Sequence, residues 1–171
     1  MKRIILPIIV FSLFCQVSAF CLEIPDGLES EVTQAMDIGA KLYHTYLQGP
    51  CTDSAIVKQK DKISDLCDFQ YSVYIVDSDT YFIAESSSTD IIVFGKHYKV
   101  SSDGIASSST KTCFSIPIPK NSGAAVVTHL LSDTPSEFHV FLSLKYKTII
   151  YVGTQKGAWK VDQGKITFIG E

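Results

Sequence analysis

The chain has 171 residues, a formal charge of −3 and 46% hydrophobic residues. That length suits a single domain with its own core, and the mild acidity with scattered lysines leaves no basic face for nucleic acid or anionic lipid. Cysteine appears five times, too often to ignore and without the C-x-x-C spacing of a metal site.

The first nineteen residues read as a signal peptide. Lys2 and Arg3 form a positive start, Ile4–Phe14 is apolar, and Val17-Ser18-Ala19 places small residues where a signal peptidase cuts. The apolar run is shorter than the roughly 20 residues a membrane-spanning helix needs. Neither Cys15 nor Cys21 follows a small residue, which argues against lipidation. The expectation is a mature chain over residues 20–171, periplasmic or secreted, without stable membrane insertion. Loss of Lys2 and Arg3 takes the formal charge to −5.

Four cysteines remain after cleavage: Cys21, Cys51, Cys67 and Cys113. In an exported chain disulfides are the expected use, and four cysteines allow three pairings. A helix over residues 53–66 would separate Cys51 from Cys67 by roughly 20 Å. A disulfide needs Cα atoms within about 7 Å. An antiparallel helical pair returns Cys67 towards the start of the first helix, so the expected pairs are Cys21–Cys67 and Cys51–Cys113.

Pro25-Asp26-Gly27 is a turn, and residues 28–47 carry apolar groups at helical spacing: Leu28, Val32, Ala35, Met36, Gly39, Leu42, Tyr43 and Tyr46. Gly49-Pro50 ends that helix, and a shorter one capped by Thr52 or Asp53 runs to about Leu66. From Gln70 the period falls to two. Residues 71–76 and 80–84 form strands across a turn at Asp77-Ser78-Asp79, and 91–94 and 98–100 continue the pattern. Residues 101–112 read as an exposed loop, with Ile116-Pro117-Ile118-Pro119 extended beyond it. Residues 124–131 are expected as a short helix capped by Asn121 or Ser122. Four runs then form a meander: 138–144, 148–152, 158–161 and 166–169. The fold class is α+β, an N-terminal antiparallel helical pair (28–66) packed on a mainly antiparallel sheet (70–169).

Three groupings are chemically suggestive. Val76-Asp77-Ser78-Asp79-Thr80 after an apolar strand resembles the D-x-D-x-T motif of haloacid-dehalogenase-like phosphatases, with the threonine one place early. The resemblance implies Asp77 as nucleophile, Asp79 as acid and a magnesium ion, although the family's downstream lysine and acidic pair have no counterpart here. The second grouping is His129, Asp133, Ser136, Glu137 and His139. Its histidines and Glu137 would give an envelope hydrolase an acid/base pair or zinc ligands. The third is the loop Gly153–Trp159, which would present Trp159 with Thr154, Lys156 and Gly157 to a protein partner. Serine-rich tips at 87–89 and 107–109 would insert into a partner's cleft.

The favoured reading is non-enzymatic: a cofactor-free exported protein that binds another protein, as a periplasmic inhibitor or immunity factor against a toxin or cell-wall enzyme. The alternative is the hydrolase, with His129, Glu137 and His139 as its site.

Overall fold

The computed structural model describes residues 22–63, 65–104, 106–118 and 123–171. The expected signal peptide and Cys21 lie outside the described residues. The α+β class holds, and the N-terminal helix packs on sheet.

Helix α1 spans Glu29–Gln48. Glu29 and Glu31 lie in its first turn, where carboxylates suit the helix dipole, and Val32, Ala35, Gly39 and Leu42 form its buried stripe. It ends at Gly49, whose φ of 103° few other residues adopt. The second helix of the expected pair is much shorter than residues 53–66. Asp53 accepts from the Ala55 N–H at 2.8 Å and starts a single turn, α2 (Ser54–Val57), which tightens into a 3₁₀ turn over Lys58–Lys62.

The first sheet has the order β1-β2-β4-β5: β1 (Gln70–Val76), β2 (Asp79–Glu85), β4 (Tyr98–Val100) and β5 (Ala106–Ser108). The β1–β2 register runs from Gln70 opposite Glu85 to Val76 opposite Asp79, as the alternation requires. Strands β3 (Ile91–Val93) and β6 (Ser115–Pro117) form a separate antiparallel pair.

The second sheet corrects the sequence reading twice. Of residues 124–131, expected as helix, 124–128 form strand β7 (Ala124–Thr128), as the β-branched run Val126-Val127-Thr128 favours, and the expected caps Asn121 and Ser122 lie outside the described residues. Residues 138–144, expected as the first meander strand, form helix α3 (Glu137–Tyr146). Strand β7 pairs in parallel with β8 (Ile149–Thr154), and α3 is the crossover that a parallel pair requires. The rest of the meander stands, with β9 (Gly157–Asp162) and β10 (Lys165–Gly170) completing the order β10-β9-β8-β7.

Helices α1 and α3 touch at Gly39, where an added Cβ would lie 2.5 Å from Val140 Cβ. Their side chains share one apolar cluster with Tyr74 and Ile83 of the first sheet and Val152, Trp159 and Phe168 of the second. A smaller cluster on the other face of the first sheet joins Val73, Phe82 and Tyr98 to Ile63, with Cys51 and Ile56 at its margin.

The cysteines pair otherwise than expected: Cys67 is bonded to Cys113, and Cys51 is bonded to no described cysteine. The short 51–67 segment lies over the first sheet instead of running back beside α1, so Cys67 never reaches the start of that helix. Gly95 lets the Cys113 backbone come close, since a Cβ there would lie 2.5 Å from Cys113 Cα.

Candidate functional site

Strand β7 delivers His129 and helix α3 delivers His139. Their rings meet edge to face, with centroids 5.0 Å apart. Both are buried. The His139 ring is consumed by local structure. Its Nδ1 accepts from the Ser136 N–H at 3.1 Å and lies 3.0 Å from Ser136 Oγ, closing the start of α3 in the manner of a capping box. Burial above all, then His129 and His97, lowers its pKa to about 3. His97 is also buried. Its Nδ1 accepts from the Ala84 N–H and its Nε2 donates to the Val93 carbonyl, each at 3.0 Å, while the ring stacks on Phe138. Burial lowers its pKa to about 4. Each of these two rings is a neutral structural group at neutral pH.

Glu137 does not join them. Residues two apart on a helix face different ways, and Glu137 instead senses Lys99 and Asp79 on the first sheet. Burial raises its pKa, as for a carboxyl that has lost water. The expected trio of His129, Glu137 and His139 is thus divided between two environments and offers no shared acid/base geometry. Among the described residues no three His, Cys, Asp or Glu side chains are grouped to hold a metal ion.

The D-x-D-x-T resemblance ends at a hairpin. Asp77 sits at the tip with φ 55°, and β2 returns antiparallel, whereas that family's nucleophile follows a strand of a parallel sheet. The two carboxylates are held by different lysines: Asp77 by Lys41 at 3.2 Å and Asp79 by Lys99 at 2.8 Å. Turn chemistry accounts for them.

Trp159 is not presented to a partner: its exposure is 0%. Its Nε1 donates to Thr154 Oγ1 at 3.1 Å, and its ring stands edge-on to Phe168. Thr154 Oγ1 also accepts from the Lys156 N–H and lies 3.0 Å from the Asp133 carbonyl. Gly157, at φ 129°, packs against the Gly170 backbone. Thr154 and Gly157 therefore build the hairpin, and of the four expected binding residues only Lys156, beside Gln155 at the tip, is exposed. Of the serine tips, 107–109 is fastened, since Ser109 exchanges hydrogen bonds with the His97 backbone.

The exposed apolar surface lies elsewhere. Strand β7 is the edge of its sheet. Val126 is 73% exposed, and just beyond the strand Leu130 and Leu131 are 66% and 45% exposed. Beside them is a cleft of about 310 Å³ lined by Thr110–Thr112, Phe114 and Thr128–Leu131. His129 forms part of its wall, and the buried Nδ1 of that ring has no hydrogen-bond partner among the described residues. Sequence reasoning missed this surface by assigning residues 124–131 to a helix. The Val126-Val127 pair was the signal that pointed to a strand, and Leu130-Leu131 after it marked an apolar end.

No family model matches this chain, and no curated protein or solved structure matches it.

Proposed function

We propose that this is an exported, non-enzymatic protein-binding protein, an inhibitor or immunity factor that acts in the periplasm or outside the cell on a toxin or cell-wall enzyme. The observation that carries the reading is the group of exposed apolar residues Val126, Leu130 and Leu131 on and just beyond an edge strand, the two leucines lining a cleft. Exposed apolar groups gathered at one edge are what a protein interface covers. The Cys67–Cys113 disulfide and the signal-like N-terminus support an oxidising destination. No helix among the described residues is long and apolar enough to cross a membrane.

The test is affinity capture from the native envelope with residues 20–171, alongside the Leu130→Lys/Leu131→Lys variant. A stoichiometric partner held by the parent chain and released by the variant is the expected result. Absence of any partner, or equal retention by the variant, overturns the reading as stated. Export has its own check. N-terminal sequencing of the extracytoplasmic protein should begin at Phe20, and an intact Met1 there sinks the cleavage assignment.

A further inference from the structure

One edge of strand β7 is paired with no described strand. The Gly153 carbonyl accepts from the His129 N–H at 2.8 Å, within the parallel register that sets Thr128 opposite Gly153. Backbone groups alternate sides along a strand, so residues 125, 127 and 129 face β8. Ala124, Val126 and Thr128 turn their N–H and C=O groups the other way, where no described residue bonds them. This is an edge of about 17 Å with its donors and acceptors in place. Its side-chain pattern leaves Val126 outward and Ala125 and Val127 in the core.

The cleft at the C-terminal end of β7 differs in charge from the others. Lys111 is the only fully charged side chain of its lining, and no carboxylate is present. Other clefts are lined by Asp103, by Glu31 with Glu137, by Glu31 with Asp133, or by Glu171. On an acidic chain, an apolar cleft with one lysine, three threonines and no carboxylate suits an anion attached to an apolar residue. The Thr110–Phe114 segment lines this cleft with Thr128–Leu131, at the end of β7 where the carboxyl end of a strand added parallel to it would lie.

We propose that β7 accepts the free C-terminus of a partner protein as an added parallel strand, with the last apolar side chain in the cleft and its carboxylate at Lys111. The inference rests on the protein-binding reading and names the part of the partner that is recognised. Main-chain bonds to Ala124, Val126 and Thr128 give affinity, and the cleft gives selectivity for the terminal residue. His129 is a buried part of the same cleft's wall.

A peptide library displayed with free C-termini, screened against residues 20–171, tests this directly. Selected peptides should end in an apolar residue, and C-terminal amidation should weaken them by about tenfold or more in fluorescence polarisation. Lys111→Glu should do the same. Val126→Pro deletes one outward N–H while sparing the bonds to β8, and should also weaken binding at least about tenfold. Should that variant lose its near-UV circular dichroism, peptides N-methylated at alternate residues replace it, and alternate positions should differ. Peptides that bind amidated and free forms alike, or that ignore both variants, overturn this site and leave protein binding standing. A library that yields no binder overturns it too. The envelope capture with the Leu130→Lys/Leu131→Lys variant then decides separately whether any protein is bound.

Discussion

The two faces of the β1–β2–β4–β5 sheet are covered in different ways. The inner face meets α1, α3 and the second sheet in one large apolar cluster that includes Tyr74, Ile83, Phe141 and Trp159. On the outer face, the thin 51–67 segment contributes few apolar groups. That segment is fastened by directional links: the Cys67–Cys113 disulfide, an ion pair from Lys96 to Asp65, and two tyrosine hydroxyls. Tyr71 Oη accepts from the Cys67 N–H at 3.1 Å and donates to the Lys96 carbonyl at 3.2 Å, while Tyr98 Oη donates to the Asp65 carbonyl. Apolar burial is shared among many neighbours, whereas a fastened layer depends on a few bonds. The inner face should therefore fail as a whole and the outer layer piece by piece.

Trp159→Ala should break the inner side most severely. The indole is fully buried against Phe168, and its loss also takes a donor from Thr154 Oγ1. A cost of about 3–5 kcal/mol is expected, read as a single lowered urea midpoint. A change below about 1 kcal/mol would show that the hairpin, not the core, holds this ring.

Removing the disulfide with Cys67→Ser/Cys113→Ser should cost less, about 2–4 kcal/mol. Its closed loop spans a separation of 46 residues and contains β1 through β5, so loss of the constraint acts on the unfolded chain as well. The sharper readout is local. Amide exchange should quicken over residues 54–63 while α1 and α3 keep their protection. Uniform acceleration throughout the molecule would erase the distinction between the two faces.

Much of the inner architecture was legible because its signals are local. The stripe of Val32, Ala35, Gly39 and Leu42 marks α1, and period-two alternation with a polar turn marks the β1–β2 and β9–β10 hairpins. The exchange at β7 and α3 has a physical cause. Phe138 through Ser143 are buried on every side, because α3 lies between layers, and a helix apolar all round has no period to read. Ser136 ahead of the run was the local clue, since it stands at the N-cap and engages His139. The disulfide and the burial of His97 depend on which face the 51–67 segment and β4 come to cover, and neighbours in sequence do not encode that. For the site, His129 and His139 were grouped only by nearness in sequence, and both their ring contact and the separate facing of Glu137 depend on the β7–α3 arrangement.

Acid should probe the inner face with a smaller, graded effect. His97 and His139 have folded pKa values of about 4 and about 3, lowered first by burial. The unfolded chain therefore takes up their protons first, near the ordinary histidine value of about 6.5. Stability is full above that pH and falls as pH drops towards the folded values, by up to about 1.4 kcal/mol per pH unit for each ring. Glu137 acts in the opposite sense. Its raised pKa makes the folded state hold a proton, so stability from it grows as pH falls through that raised value. Urea titrations from pH 7 to 4.5 should show a decline, steeper in Glu137→Gln and shallower in His97→Phe. A flat profile in all three would mean that water already reaches these rings.

The smallest effect belongs to the β1–β2 hairpin tip, where Lys41 reaches Asp77. Lys41 bonds Asp37 at 2.9 Å and Asp77 at 3.2 Å, and all three side chains are largely in water. Both carboxylates raise the lysine pKa, hydrogen bonding to Asp37 first, yet exposed pairs are screened and hold long side chains at an entropic cost. Lys41→Ala should leave the urea midpoint unresolved from the parent in moderate salt. Lys145 offers the contrast within the same fold. It pairs with Glu85 beneath the rings of Tyr46, Phe141 and Tyr146, so its removal leaves a carboxylate in poor contact with water. Lys145→Ala should lower the midpoint measurably under the same conditions. Equal loss in the two variants would mean that long-range charge, not burial, governs how this protein uses its lysines.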